Sequence, residues 1–65
     1  MRILVNGAWR ETASAELAAV LEELGYGGSI VTTAVNGEFV AAAVRPATRL
    51  ADGDRVEVLA PMQGG

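Results

Sequence analysis

The sequence contains no cysteine, no histidine and no lysine. Without cysteine there are no disulfides and no thiolate nucleophiles, and without histidine the usual zinc sites and the commonest proton-transfer side chain are also missing. The absence of lysine excludes Schiff-base chemistry. Because a chain this short also leaves little room for a deep cavity, we predict a protein that is not an enzyme and that binds neither a metal nor a cofactor.

Positive charge and long hydrophobic runs are also scarce. Five arginines against eight carboxylates give a net charge of −3, which argues against nucleic acid as a partner because phosphate binding needs a basic surface. No apolar run approaches the roughly 20 residues that cross a bilayer, and the amino terminus lacks the apolar stretch of a secretory signal. We therefore expect a cytoplasmic single-domain protein without membrane association, monomeric when free.

Two Asn-Gly pairs predict two hairpins, since this dipeptide favours the two-residue turns that join antiparallel strands. The strands around Asn6-Gly7 and Asn36-Gly37 are predicted at 2–6 and 8–11, and at 30–36 and 38–40. A last strand is predicted at 55–60, after the turn Asp52-Gly53-Asp54. Alternation within the first and last strands predicts one shared buried face, formed by Ile3, Val5, Val56 and Val58.

A helix is predicted between the two hairpins. Its apolar stripe, at spacings of three and four residues, consists of Leu17, Val20, Leu21 and Leu24. We expect about three turns that begin near Ser14, with the hydroxyls of Thr12 and Ser14 as caps and Glu16 in the first turn. Gly25 is the expected stop. Residues 41–50 contain Pro46 and predict a surface connection with one short helical turn.

This order of elements, with a single helix to cover one face of a sheet, predicts the α+β class. It matches the β-grasp layout, a mixed sheet of four to five strands with one main helix. We assign residues 1–60 to this domain. Residues 61–65 are predicted to be a flexible tail, because Pro61 cannot donate a ladder hydrogen bond and the glycines that follow have nothing to bury.

Four segments together resemble the thiamine-biosynthetic sulfur carrier proteins, the ThiS family, whose fold is the ubiquitin-like β-grasp. These segments are residues 3–7 (ILVNG), 34–40 (AVNGEFV), 50–58 (LADGDRVEV) and 63–65 (QGG). The resemblance covers essentially the whole chain. Residues 41–46 (AAAVRP) depart from the family pattern, in which a proline-arginine pair and a nearby tryptophan commonly follow the fourth strand.

The resemblance implies that the working group is the carboxylate of Gly65. An adenylating enzyme, similar to ubiquitin-activating enzymes, would use ATP to activate it, a persulfide donor would convert it to a thiocarboxylate, and thiazole synthase would receive the sulfur. ATP would be bound by the enzyme and not by the carrier. Met62, Gln63 and Gly64 would thread into the partner's active site, where a glycine without Cβ passes most easily.

Leu4 and Leu59 are predicted to point away from the helix on neighbouring strands, where an apolar patch would suit the activating enzyme. Arg55 and Glu57 flank this patch or form an ordinary solvated face. Three alternatives stay open at the level of the sequence. The chain could carry sulfur for molybdopterin or another pathway, it could be a ubiquitin-like modifier whose Gly65 is joined to lysines of target proteins, or it could be a plain interaction module.

Overall fold

The computed structural model describes residues 1–60, and the predicted tail at 61–65 lies outside the described residues. The described part of the chain forms five strands, an α-helix and a 3₁₀ helix. In chain order they are β1 (Arg2–Val5), β2 (Ala8–Glu11), α1 (Leu17–Glu23), β3 (Thr32–Val35), β4 (Glu38–Val40), the 3₁₀ helix (Ala42–Ala47) and β5 (Arg55–Leu59). The predicted α+β class, with one main helix and a short helical turn in the connection at 41–50, is confirmed.

The sheet has the strand order β2-β1-β5-β3-β4. The last strand, β5, lies in its centre, parallel to β1 and antiparallel to β3. The hairpins β1–β2 and β3–β4 flank it on either side. Within residues 1–60, β5 is thus the strand through which the two hairpins are joined into one sheet.

Both predicted hairpin turns are confirmed. Asn6 and Gly7 have φ angles of 49° and 84°, and Asn36 and Gly37 have φ angles of 50° and 85°, as a type I′ turn requires at its two central positions. β3 starts two residues later than predicted, because the chain is still turning at Ser29, whose N–H donates to the Tyr26 carbonyl oxygen at 2.9 Å. β5 ends at Leu59, one residue earlier than predicted.

The core lies between α1 and one face of the sheet. Its buried hydrophobic side chains are Ile3, Val5, Leu17, Val20, Leu21, Val31, Leu50, Val56 and Val58. The predicted inward face of the first and last strands is therefore confirmed, as is the helix stripe, whose fourth member Leu24 is half-buried against the same cluster. Burial of each of these side chains stabilises the fold by about 1.5–3 kcal/mol.

The predicted start of the helix is wrong. α1 begins at Leu17 and has seven residues, about two turns, and its N-cap residue Glu16 makes no side-chain capping bond. Glu16 is extended (φ −85°, ψ 139°) because it forms a β-bridge with Arg49. On either side of this bridge Leu17 N–H donates to the Thr48 carbonyl oxygen and Leu50 N–H donates to the Ala15 carbonyl oxygen. This pairing with a distant segment holds residues 15 and 16 out of the helix.

The end of the helix follows the prediction. Gly25 has a φ of 98°, in the left-handed region that favours glycine. Its N–H donates to the Glu22 carbonyl oxygen and Tyr26 N–H donates to the Leu21 carbonyl oxygen. These are the two hydrogen bonds of a Schellman motif, which satisfies carbonyl groups that the helix leaves without partners.

The hydroxyls of Thr12 and Ser14 do not cap the helix as predicted, and a carboxylate from the end of α1 binds the backbone of the segment before it. Ala13 N–H and Ser14 N–H donate to the two carboxylate oxygens of Glu23, at 2.8 and 3.1 Å. The Thr12 hydroxyl instead donates to the Ser14 carbonyl oxygen. The bond from Ala13 N–H, followed by the bond from Ser14 N–H, lowers the pKa of Glu23 from its ordinary value.

We therefore predict that Glu23 contributes an acid-sensitive part of the stability. Because its pKa is lowered in the folded state, its contribution is complete above the ordinary glutamate pKa and is lost as the pH falls through the lower, folded value. Glu23→Gln should melt at a lower temperature than the wild type at neutral pH and should lose less on acidification. Thermal melts followed by circular dichroism over this pH range test the prediction.

Glu22→Gln is the matched control, since Glu22 precedes Glu23 on the same helix and its carboxylate accepts no hydrogen bond within residues 1–60. It should melt as the wild type does at every pH. If the wild type and Glu23→Gln lost the same amount of stability on acidification, Glu23 would not be the source of the acid-sensitive contribution.

Candidate functional site on the open face of the sheet

Among residues 1–60 no helix covers one face of the sheet, and we call this face the open face. The buried residues of β5, Val56 and Val58, face α1, so the alternating residues Arg55, Glu57 and Leu59 face the other way. Residues paired across the ladder share a face, which assigns further positions to this side. The open face is defined by Leu4, Trp9, Ala34, Phe39, Arg55, Glu57 and Leu59.

Leu4 and Leu59 lie on this face as predicted, on the neighbouring strands β1 and β5. Leu59 is 65% exposed, and Leu4 is half-buried. They do not lie side by side, however. Leu4 pairs with Arg55, so Leu59 is four positions, about 13 Å, further along β5. The two leucines are therefore at opposite ends of a surface and do not form a single contact.

A shallow groove of about 650 Å³ connects them. Both leucines line it, as do Arg55, which lies beside Leu4, and Glu57, which lies between Arg55 and Leu59 on β5. The groove thus carries one charge of each sign along β5, with Leu4 and Leu59 towards its two ends. Such an arrangement can bury apolar side chains of a partner while the charged pair fixes the partner's orientation.

Phe39 also lines this groove, and sequence reasoning did not single it out. It pairs with Ala34 and is 71% exposed, the most exposed aromatic side chain in the described part of the chain. Its orientation follows from the alternation of the short strand 38–40, in which Val40 faces the core and Phe39 must therefore face away. With only three residues, however, this alternation is too short to be recognised from the sequence alone.

Trp9 extends the apolar surface onto β2. It pairs with Leu4, and half of its side chain is exposed. The Arg2 guanidinium carbon lies 4.5 Å from the centroid of the indole ring, within the range of a cation–π interaction. Trp9 is therefore a surface residue whose ring is partly covered by an arginine, and it does not belong to the core.

The predicted reactive segment, Met62, Gln63, Gly64 and Gly65, lies outside the described residues. The structure does describe the strand from which it continues. The backbone of β5 is held on the β3 side by the pairs Thr33↔Val58 and Thr32↔Leu59. On the β1 side the carboxamide of Asn6 bonds to Val58. The last residues before the segment are thus part of the central strand of a sheet.

Among residues 1–60 no three carboxylates are grouped closely enough to hold a metal ion. The acidic turn Asp52-Gly53-Asp54 has a structural role. Arg2 N–H donates to Asp52 Oδ1 and Ala51 N–H donates to Asp54 Oδ2, which fixes the turn before β5. No helix among the described residues has the length and apolar character needed to span a membrane.

Five strands in this order, a covering helix and a central last strand parallel to the first define a ubiquitin-like β-grasp protein. The sequence model of the ThiS family matches residues 3–65. The chain belongs to the ThiS family. The family of thiamine-biosynthetic sulfur carriers indicated by the sequence motifs is thereby confirmed.

Solved structures agree with this assignment. The chain is similar to the crystal structure of a thiamine biosynthesis protein (ThiS) from Geobacter metallireducens, with a TM-score of 0.83, 33% sequence identity and 100% of each chain covered. It is also similar to an NMR solution structure of a thiamine biosynthesis protein from the same organism, with a TM-score of 0.78, 33% identity, and coverage of 100% of this chain and 88% of the other. Among curated proteins, none matches the chain.

Proposed function

We propose that this chain carries sulfur for thiazole formation in thiamine biosynthesis, as a thiocarboxylate on Gly65. The observation that carries the proposal is the family match, which runs to residue 65 and so includes the Gly64-Gly65 pair. In this role the chain is a substrate of its partners and not a catalyst. The partners are an ATP-dependent adenylating enzyme, a persulfide sulfur donor and thiazole synthase, and the proposed compartment is the cytoplasm.

The chemistry begins with a poor electrophile, because an α-carboxylate is ionised at neutral pH. A carboxylate oxygen of Gly65 attacks the α-phosphorus of ATP on the adenylating enzyme, and pyrophosphate leaves. The terminal sulfur of the persulfide then attacks the acyl carbon and displaces AMP, which yields an acyl disulfide. A thiol cleaves the S–S bond of this adduct and leaves the thiocarboxylate, a soft nucleophile that thiazole synthase consumes.

We assign the open face to recognition of the adenylating enzyme. Its exposed apolar side chains, Phe39 and Leu59, are of the kind that contribute most to binding when a partner buries them. Leu59 is also the last residue of β5, so a partner seated on the open face is next to the segment that it must activate. Residues 61–65, if fully extended, would reach roughly 17 Å from Ala60.

Intact-mass spectrometry tests the proposal. The protein is incubated with ATP, a candidate adenylating enzyme and a persulfide source, and the expected result is the mass gain for exchange of one oxygen by sulfur. Addition of thiazole synthase with its other substrates should reverse the gain. No gain with several candidate enzymes would overturn the sulfur-carrier assignment. Rescue of a thiamine auxotroph, but not of a molybdopterin-deficient strain, separates the proposed pathway from the alternative carrier role.

A further inference from the structure

The side chain of Asn6 acts as a short extension of β1. The parallel ladder between β1 and β5 comprises only the pairs Leu4↔Arg55 and Val5↔Val56, because the chain turns away at Asn6. The backbone of Val58, two residues further along β5, would face this gap without a strand partner. Instead Asn6 Nδ2 donates to the Val58 carbonyl oxygen at 2.9 Å, and Val58 N–H donates to Asn6 Oδ1 at 2.8 Å.

A carboxamide suits this position because it combines a donor and an acceptor in the geometry of a peptide group. The turn itself does not need it, since glycine adopts the positive φ of Asn6 more readily than asparagine does. The two hydrogen bonds therefore represent a requirement beyond the hairpin. A backbone N–H or carbonyl group that loses its partner while shielded from water destabilises the strand that carries it.

The location of these bonds connects them to the proposed reactive segment. Val58 directly precedes Leu59, the last residue of β5 and a member of the open face. On the opposite side of the strand the Thr32 hydroxyl donates to the Leu59 carbonyl oxygen at 3.3 Å. Hydrogen bonds thus fix the end of β5 on both sides, and on the β1 side they are made by the Asn6 side chain.

We propose that Asn6 is a positioning residue for activation of the carrier, holding the end of β5 so that Leu59 is presented to the adenylating enzyme in a fixed position. This inference rests on the proposed sulfur-carrier function. Loss of the carboxamide frees the end of β5 on one side, and the enzyme must then order Val58 and Leu59 as it binds. Binding that must first order a segment is weaker than binding to a preorganised one.

The second Asn-Gly turn offers a matched control. Asn36 has nearly the same φ as Asn6, and its side chain also binds β5, but at the start of the strand. Arg55 N–H donates to Asn36 Oδ1 at 2.9 Å, and Asn36 Nδ2 donates to Asp54 Oδ1 at 3.0 Å. Replacement of either asparagine by glycine keeps a turn-compatible residue and removes two hydrogen bonds. Asn6→Gly removes both from Val58, next to the end of β5, whereas Asn36→Gly removes one from Arg55, at the start of β5, and one from Asp54, in the turn before it.

The experiment compares Asn6→Gly and Asn36→Gly in steady-state adenylation, measured as pyrophosphate release with the full chain, ATP and the adenylating enzyme. Asn6→Gly is expected to raise the KM for the carrier about tenfold, the effect of losing two ordinary hydrogen bonds. Asn36→Gly is expected to keep the wild-type KM. Amide hydrogen exchange at Val58 should accelerate in Asn6→Gly alone.

If Asn6→Gly does not fold, Asn6→Asp replaces it, because aspartate keeps the acceptor for Val58 N–H and loses the donor to the Val58 carbonyl oxygen.

A wild-type KM for Asn6→Gly, or equal increases for both variants, would overturn the inference, since equal increases reflect a general loss of stability. These results are distinct from failure of the proposed function, in which the wild-type chain itself supports no adenylation.

Discussion

Deletion of Gly65 is expected to abolish thiocarboxylate formation and to leave the fold unchanged. The proposed chemistry takes place on the carboxylate of that residue, and a carboxylate displaced by one position along an extended chain moves by about 3.3–3.6 Å. A displacement of that size removes the reacting atom from its near-attack position. The measurement is intact mass after incubation with the activating system, together with a thermal melt of the shortened protein.

Gly64→Val is the companion variant. It retains the number of residues and the terminal carboxylate but adds a branched side chain where the segment is proposed to thread into the enzyme. We expect a loss of at least about a hundredfold in kcat/KM for adenylation, as for other misplacements of a reacting group. Neither variant changes a buried core side chain of residues 1–60, so we expect both to melt as the wild type does. Full sulfur loading of the chain without Gly65 would contradict the assignment of the reactive group.

The second large effect is expected on the open face. Leu59→Gln should raise the KM for the carrier in adenylation about tenfold or more, because loss of an apolar anchor side chain that a partner buries costs at least about 1.4 kcal/mol. The side chain is 65% exposed in the free protein, so its replacement should change the melting temperature little. Titration of the adenylating enzyme with each carrier variant separates the change in KM from any change in kcat.

Val44→Gln provides the control on the other side of the molecule. Val44 is a half-exposed apolar residue of the 3₁₀ helix, which packs against α1 and not on the open face. The Val44→Gln variant should have the wild-type KM in adenylation. If Val44→Gln raised the KM as much as Leu59→Gln, the enzyme would contact the helical side of the domain and the assignment of the open face would be wrong.

The hairpins were predictable because their signal is local. Asn-Gly adopts positive φ angles through intrinsic preference, so residues 6–7 and 36–37 mark turns without reference to the rest of the chain. The inward face of the last strand follows from alternation for the same reason. The helix start was not predictable in this way. It depends on the bridge between Glu16 and Arg49, two residues that only the folded chain brings together.

For the candidate site, too, the features with a local signal were predictable and those that depend on distant contacts were not. The Gly-Gly pair and the leucines at positions 4 and 59 are visible in the sequence, and the structure confirms that both leucines lie on one face. The groove between them depends on the register of β5 against β1, which no local pattern specifies. The hydrogen bonds between Asn6 and Val58 join residues that are 52 positions apart. The sequence around Asn6 predicts only its role in the turn and gives no sign of these bonds.

The central position of β5 has a consequence for the order in which the protein folds. The two hairpins can form early, since each is closed by a local turn, but within residues 1–60 they are joined in the sheet only through residues 55–59. A growing chain on the ribosome therefore holds two unjoined hairpins until β5 has emerged. Closure of the sheet must wait for contacts between distant parts of the chain, the slow kind of step in folding. The sheet is therefore completed only when synthesis has nearly reached residues 61–65, the segment proposed to carry the reactive carboxylate.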